Sequence, residues 1–426
     1  MMFWKKSPAA VAASLLMIHL LAHIDRNMLL GFSPQIVRDL ALSHTEYGFL
    51  AGAVWVLSFG VMAMFMGTLA DRFNRPRIIA AGVLIWSACT LASGHAQSFE
   101  QMVVARFFVA SGEAALVPAA VALLAELFSG KRRGTAMGLF FMGIPLGVGC
   151  SFLLAGSFGA THGWRSTFYA LGVIGIAIAL PLALLKEDRS VLAPQERGAP
   201  FVEQALAVLR TVGGNRALGF TIAGFVLVHL VFASFSFTQV WLVDERGMSA
   251  AGIATRIGVL QLVFGTLGAA AGGAAGDRAA RRLRGGHASF MALLVVVCAP
   301  LILSYRFMPI GSPLFYIGMC AGFFLPMAVY GAALTAITGM TPTNMRSTVT
   351  GFTMLLINVF ALAIGTVIIG MLADHLRRTG STAPLTDVLL VNDVLAISSA
   401  IWFALAGRAS GRKRVPSAEN VQPVRS

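Results

Sequence analysis

Charge is scarce in this chain. Of its 426 residues, 12% are Asp, Glu, Lys or Arg, against about 25% in an average soluble domain. Cysteine is scarcer still. Cys89, Cys150, Cys298 and Cys320 stand alone inside apolar runs, without the short spacing of a metal site or a disulfide framework, and read as small core hydrophobes. Also missing are HExxH, GxSxG, a Walker loop and any zinc-spaced Cys/His set. Nothing points to an enzyme, a metal or a cofactor. Acidic residues number 18 against 32 basic ones, a net charge of +14, yet no aromatic-interleaved basic stripe accompanies the excess. A nucleic-acid partner is therefore excluded.

What the chain has in abundance is apolar sequence: 57% of it is hydrophobic, with a mean hydropathy of +0.79. Twelve apolar stretches can be marked, at 9–37, 45–70, 77–93, 101–128, 134–160, 165–185, 217–243, 251–276, 286–305, 312–338, 346–373 and 387–406. They have the length at which a helix crosses a bilayer, roughly 20 residues. The strands of a β-barrel would be shorter and alternating. The start, MMFWKKSPAA, resembles the charged end of a signal peptide, but the apolar run after it is too long and carries Asp25 and Arg26. It reads as a retained first span.

The basic residues sort by side. Lys5, Lys6, Arg72, Arg75, Arg77, Lys131, Arg132, Arg133, the arginines of 186–216, Arg278 to Arg284, Arg346 and the tail after Arg408 fall on one side. Arg38, Arg165, Arg246, Arg256, Arg306, Arg377 and Arg378 fall on the other. The positive-inside rule makes the richer side cytoplasmic. Both termini then lie in the cytoplasm of a multi-pass protein of a cell (inner) membrane. The longest polar connection, 186–216, divides the chain into segments 1–185 and 217–407, with a basic tail at 408–426; within it Val202 to Leu209 suits a short amphipathic helix on the membrane surface.

Two places inside the spans carry charge that lipid does not tolerate freely. Asp25 lies some 24 Å along its helix from Ala9 at about 1.5 Å per residue, where a charge costs at least ~2.5 kcal/mol. Arg26 shares a stripe with His19 and His23, while Asp25 points about 100° away. One can face a cavity while the other faces a neighbouring helix. In the fourth span Arg106 and Glu113 are seven residues apart on one face, beside the small residues Ala110, Gly112, Ala114 and Ala115. A static network of structural ion pairs is one reading of these four groups. The other is functional: the acids change protonation as their surroundings change, and the arginines, charged throughout, engage an anionic head group.

The second half differs. Its mid-span polar residues are His229, Gln261, Asn358, Asn392 and Asp393, and Phe225, Phe232, Phe235 and Phe237 crowd the seventh span. A cavity charged on one wall and apolar on the other is expected, which suits an amphipathic molecule. Gly143, Pro145, Gly147 and Gly149 in the fifth span suit either a bend used in alternating access or simple close packing.

An internal repeat joins the halves. Gly67-Thr-Leu-Ala-Asp71-Arg72-Phe-Asn-Arg75 follows the second span and Gly273-Ala-Ala-Gly-Asp277-Arg278-Ala-Ala-Arg281 follows the eighth. Such repeats flank a central site in transporters. GTLADRFNRPR resembles the signature of the major facilitator superfamily. The fold this implies is all-α, with twelve transmembrane helices in two pseudo-symmetric six-helix bundles. The resemblance also implies a cytoplasmic gate of Gly67, Asp71, Arg72, Arg75, Glu126, Asp277 and Arg281. In it Asp71 faces the start of the eleventh helix near Arg346, Asp277 faces the start of the fifth near Gly134, and Glu126 pairs with Arg75. The first and fourth helices line the central cavity in this superfamily, so Asp25, Arg26, Arg106 and Glu113 are expected to converge.

HIDRN in the first helix, RFFVASGEAALVPAA in the fourth, MGIPLGVG and GWRSTFYALG in the first half, and GGAAGDRAARR and MTPTNMRSTVTGFTMLLINVFALAIG in the second resemble the spinster branch. That branch moves lysophospholipids or sphingosine-phosphate-type lipids, some with proton coupling. The resemblance implies proton coupling at Asp25 and Glu113, with Arg26, Arg106, His23, His229 and Asn358 at the substrate. The partners implied are an amphipathic small molecule, protons and membrane lipids, for a monomer. The branch's aromatic before the first-helix Asp is replaced here by His23-Ile24. Two other readings stand beside this one: a proton-coupled symporter of small organic anions such as sugar acids, and a lipid-binding sensor that does not transport.

Overall fold

The computed structural model describes residues 7–184 and 201–411. Among them, twelve helices are long and apolar enough to cross a membrane. They are α1 Pro8–Gly31, α2 His44–Met62, α3 Arg75–His95, α4 Phe99–Leu127, α5 Thr135–Gly156, α6 Phe158–Ala183, α7 Arg216–Asp244, α8 Ala250–Arg282, α9 Gly286–Ser304, α10 Pro313–Met340, α11 Arg346–Arg378 and α12 Pro384–Ser410. No strand occurs among the described residues.

Polar residues between the apolar runs start the helices. Ser7 caps α1 ahead of Pro8, Asn74 caps α3 ahead of Pro76, and Ser312 caps α10 ahead of Pro313. In each the side-chain oxygen accepts an orphan backbone N–H, and the proline occupies a first-turn position that needs no donor. The outer faces carry exposed apolar side chains such as Val104, Phe108, Val173, Leu180, Leu293 and Ile401. For them lipid is the solvent. The first apolar run divides at Gly31, after which Ser33–Asp39 forms a separate short helix. The sixth helix breaks at Gly163, just ahead of the sixth apolar run, where a φ of 78° leaves helical space. The amphipathic stretch expected at Val202 to Leu209 forms part of a helix, Phe201–Gly213.

In the first half α3 packs on α6 and α4, and α1 on α5; in the second α8 and α9 pack on α10, and α7 and α9 on α12. The halves meet along α5 with α8 and α2 with α11. Glycine makes the second meeting possible: a Cβ at Gly48 or Gly52 would fall on the carbonyl oxygens of Thr366 and Leu362. The glycines of α5 act as packing surfaces too. A Cβ at Gly147 would strike His23 of α1, and one at Gly149 would strike Leu262 of α8.

The hydrogen bonds found between the halves gather at one end, where α1 finishes and α2 begins. Asp374 of α11 accepts from the backbone and ring nitrogens of His44 (both 3.0 Å) and from the Thr45 N–H (2.8 Å) and hydroxyl (2.6 Å). A carboxylate from one half thus caps the first turn of a helix in the other. Tyr47 donates to the Ser236 carbonyl (2.7 Å) and Thr366 to the Gly48 carbonyl (2.7 Å), while Arg38 reaches Asp244 at 3.4 Å. At the opposite end two ion pairs among the described residues lie within a half: Arg75 with Glu126 at 2.7 Å, and Asp277 with His287 at 3.3 Å.

Candidate functional site

The buried charges of α1 and α4 meet. Asp25 is 2% exposed and Arg106 5%. Arg106 donates through Nη1 to the Asp25 carboxylate (3.3 Å) and through Nη2 to the Arg26 carbonyl (2.9 Å). The Thr90 hydroxyl of α3 also donates to Asp25. Asp25 therefore faces α3 and α4, and the 100° between neighbouring residues of α1 turns Arg26 elsewhere. The Arg26 guanidinium lies flat on the Trp55 indole of α2, 3.4 Å from the ring centroid. It makes no hydrogen bond to another described residue. The Trp55 Nε1–H donates to Glu113 Oε2 at 2.9 Å, leaving Oε1 buried without a partner. Glu113 ends the first part of α4, which turns at Ala114 and Ala115 before Pro118.

A cavity of about 380 Å³ lies between the halves, within the size range of small-molecule sites. Arg26, Arg106 and His23 line it from the first half, and Asp25 and Glu113 do not. This corrects the expectation of two acids and two arginines sharing one wet chamber. The arginines form the wall and the acids sit behind them, because each acid turns to a donor on a neighbouring helix. His19 is buried as well, with Nδ1 2.8 Å from the Phe140 carbonyl and its ring stacked on Phe140.

The opposite wall carries Phe232, Phe235, Phe323, Met319, Met354 and Ile357, with His229, Gln261 and Asn358 among them. It also carries Arg306 and Asp393. That overturns the expectation of a wall without charge: Arg306, sorted by sequence with the basic residues of the sparser side, turns inward from the end of its span. Arg306 is 1% exposed, with its guanidinium 4.6 Å from the ring centroids of both Trp241 and Tyr305 and its Nε 2.8 Å from Asp393. Ser234 donates to the other Asp393 oxygen at 2.9 Å. Asn392 bonds Ser234 and the Leu230 carbonyl, both at 2.8 Å, and so braces the pair instead of lining the cavity.

The sequence model of the Major Facilitator Superfamily matches residues 15–366. The chain belongs to that superfamily. An MFS-type efflux pump of Mycolicibacterium smegmatis is 26% identical over 405 residues, covering 93% of this chain and 92% of the pump. Protein spinster homolog 1 of Homo sapiens is 26% identical over 439 residues, covering 94% of this chain and 79% of that protein. The crystal structure of a bacterial homolog of the human lysosomal transporter spinster, inward-facing and unoccupied, superposes with a TM-score of 0.82 at 22% identity, over 98% of this chain and 100% of the other. The chain is a transporter of the Major Facilitator Superfamily, and it shares its fold with that spinster homolog.

Of the superfamily's expected gate, Arg75 holds Glu126 within the first half. The side chains of Gly67, Asp71, Arg72 and Gly134 lie outside the described residues. Asp277 meets His287 of its own half; Arg281 is exposed, and Arg346 donates to the Thr341 carbonyl at 3.3 Å.

Sequence reasoning missed Arg306 and Trp55. Asp393 had the same signal as Asp25, a lone acid inside an apolar run. Replacing Arg306 by Met leaves that acid buried and unpaired, and should destabilise the protein by about 3–5 kcal/mol. The double variant Arg306→Met/Asp393→Asn should recover most of the loss in thermal unfolding. A double variant as unstable as the single would contradict the pairing.

Proposed function

We propose that this transporter carries an amphipathic anion, a lysophospholipid or sphingosine-phosphate-like lipid, by alternating access coupled to protons. The observation that carries the reading is Arg26: a guanidinium on the cavity wall, held flat by Trp55, with no hydrogen bond to another described residue. Stacking fixes the plane of the fork and leaves its edge for a phosphate or carboxylate. The apolar side chains around it supply burial for a hydrocarbon tail.

Charge balance supports the coupling. Asp25 and Glu113 together cancel Arg26 and Arg106. A proton on Glu113, at the oxygen that has no partner, leaves one positive charge in excess, and an anion beside Arg26 restores neutrality. Because uncompensated charge is costly in a low-dielectric interior, proton and anion travel together. Asp25, clamped by Arg106 and Thr90, holds that arginine in place and gates the proton step at Glu113.

In this account the segments 1–185 and 217–407 rock about the cavity. The closed end, with Asp374 capping α2, faces away from the cytoplasm. The cavity opens to the cytoplasmic side of a cell (inner) membrane, and both termini lie there. Closure of that side brings Asp71, Asp277 and their arginines into gate contacts. A second reading, a symporter of small organic anions, is favoured by the Arg306–Asp393 pair, which gives the second wall the polarity a sugar acid would use.

A thermal-shift panel on purified protein separates the two, since a ligand selective for the folded state raises the melting temperature. Lysophospholipids and sphingoid phosphates should stabilise the protein, and hexuronates should not. Stabilisation by hexuronates alone would transfer the function to the second reading, and the absence of any shift would overturn both.

A further inference from the structure

Three uncharged polar side chains on the second half's wall have unspent hydrogen-bonding capacity. Gln261 of α8 is 8% exposed and Asn358 of α11 is partly buried; both line the cavity, and neither hydrogen-bonds another described residue. His229 of α7 is 1% exposed. Its Nδ1 lies 2.6 Å from the Phe225 carbonyl, which requires a proton on Nδ1 and leaves Nε2 as an acceptor, buried without a partner at the cavity wall. A buried polar group without a partner costs about 1–3 kcal/mol.

The backbone singles out two of these places. Gln261 opens a π-helical segment, Gln261–Gly265, and Asn358 is the second residue of another, Ile357–Ile364. Single π turns are rare and collect at functional sites, because the extra residue re-aims the side chains on one face. At Gln261 the side chain lies back over Gly265, where a Cβ would sit 2.8 Å from the amide nitrogen. The position of the amide therefore depends on a glycine one turn away.

We propose that Gln261, Asn358 and His229 form a neutral polar subsite that recognises an uncharged hydroxyl or carbonyl group on the cargo, across the cavity from the anion held at Arg26. Carboxamides both donate and accept, and His229 Nε2 accepts, so together they match a hydroxyl or an ester. A cargo with an anionic group and a bare alkyl chain would leave all three without partners. The proposal rests on the anion reading above and narrows its substrate class to anions with a second, uncharged polar group.

Two ligands with equal charge and an eight-carbon tail each test it by titration calorimetry: octyl phosphate, and octanoyl glycerol phosphate, which inserts a glycerol unit carrying a hydroxyl and an ester carbonyl. The wild-type protein should bind the second about tenfold more tightly, the worth of one net hydrogen bond at the upper end of its range. Gln261→Met, Asn358→Leu and His229→Phe should each lower that ratio about twofold. The ratio is measured within one folded sample, so a loss of stability does not imitate the result, and three separate variants guard against one that fails to fold. Equal binding of the two ligands by the wild type would overturn the subsite and leave the anion reading standing. Binding of neither would overturn the anion reading, and the subsite with it.

Discussion

Replacing Arg26 by leucine should raise the dissociation constant for octyl phosphate about a hundredfold. Charge-assisted hydrogen bonds are worth about 1.5–3 kcal/mol each, and a guanidinium fork offers two of them to one phosphate. The melting temperature of the unliganded protein should fall less than in an Arg106 variant, because Glu113 can offset the lost charge by holding a proton, the guanidinium has no hydrogen-bond partner to abandon and leucine still covers part of Trp55. Arg26→Lys should recover only part of the affinity, since a lysine ammonium is a point charge without the planar fork that stacks on an indole. Arg106 should behave differently. Its removal leaves Asp25 buried without its charge partner, so Arg106→Leu should lose stability before it loses affinity. Titration of the three variants alongside their melting curves checks the contrast. An Arg26→Leu protein that binds like wild type would remove the guanidinium from the cargo.

Replacing Glu113 by glutamine should abolish accumulation driven by a pH gradient while preserving exchange of cargo across the membrane. Glutamine keeps a carbonyl oxygen for the Trp55 N–H and is fixed in the uncharged state that the proton confers on glutamate. The charge left at Arg26 is then always available to an anion, so binding and counterflow continue, but no proton has to leave. The groups that face Glu113 are Trp55 and Arg26, with Arg106 and Asp25 behind them, and all four are unchanged in the variant. Counterflow and pH-driven uptake in proteoliposomes, measured on the same preparation, distinguish this from a damaged carrier, which would lose both. Full pH-driven uptake in the variant would take Glu113 out of the proton path.

The fold was legible because each span announces itself locally. A run of about 20 apolar residues has one stable form in lipid, a helix with its backbone bonded internally. The position of Asp25 along its span was legible for the same reason, since a helix has a fixed rise per residue. Its partners were not. Thr90 and Trp55 carry no signal in apolar runs, and their contacts depend on how α2 and α3 are rotated about their axes. Arg306 shows the limit best. It follows the end of α9, where sequence order gives its side of the membrane but not its direction, and its long side chain turns back between Trp241 and Tyr305 to an acid 87 residues away. Lys and Arg at span ends adopt either direction, and only the tertiary fold chooses. Asp374 is a similar case. It is an acid in the last turns of α11, and nothing nearby in sequence shows that it caps a helix of the other half.

The central claim, that an anion at Arg26 and a proton at Glu113 cross together, is tested most directly by pyranine enclosed in proteoliposomes. Octyl phosphate added outside, with no gradient imposed, should acidify the lumen in wild-type vesicles and fail to do so in Glu113→Gln vesicles that still exchange the compound. Uptake of the anion by wild-type vesicles at constant internal pH would contradict the account.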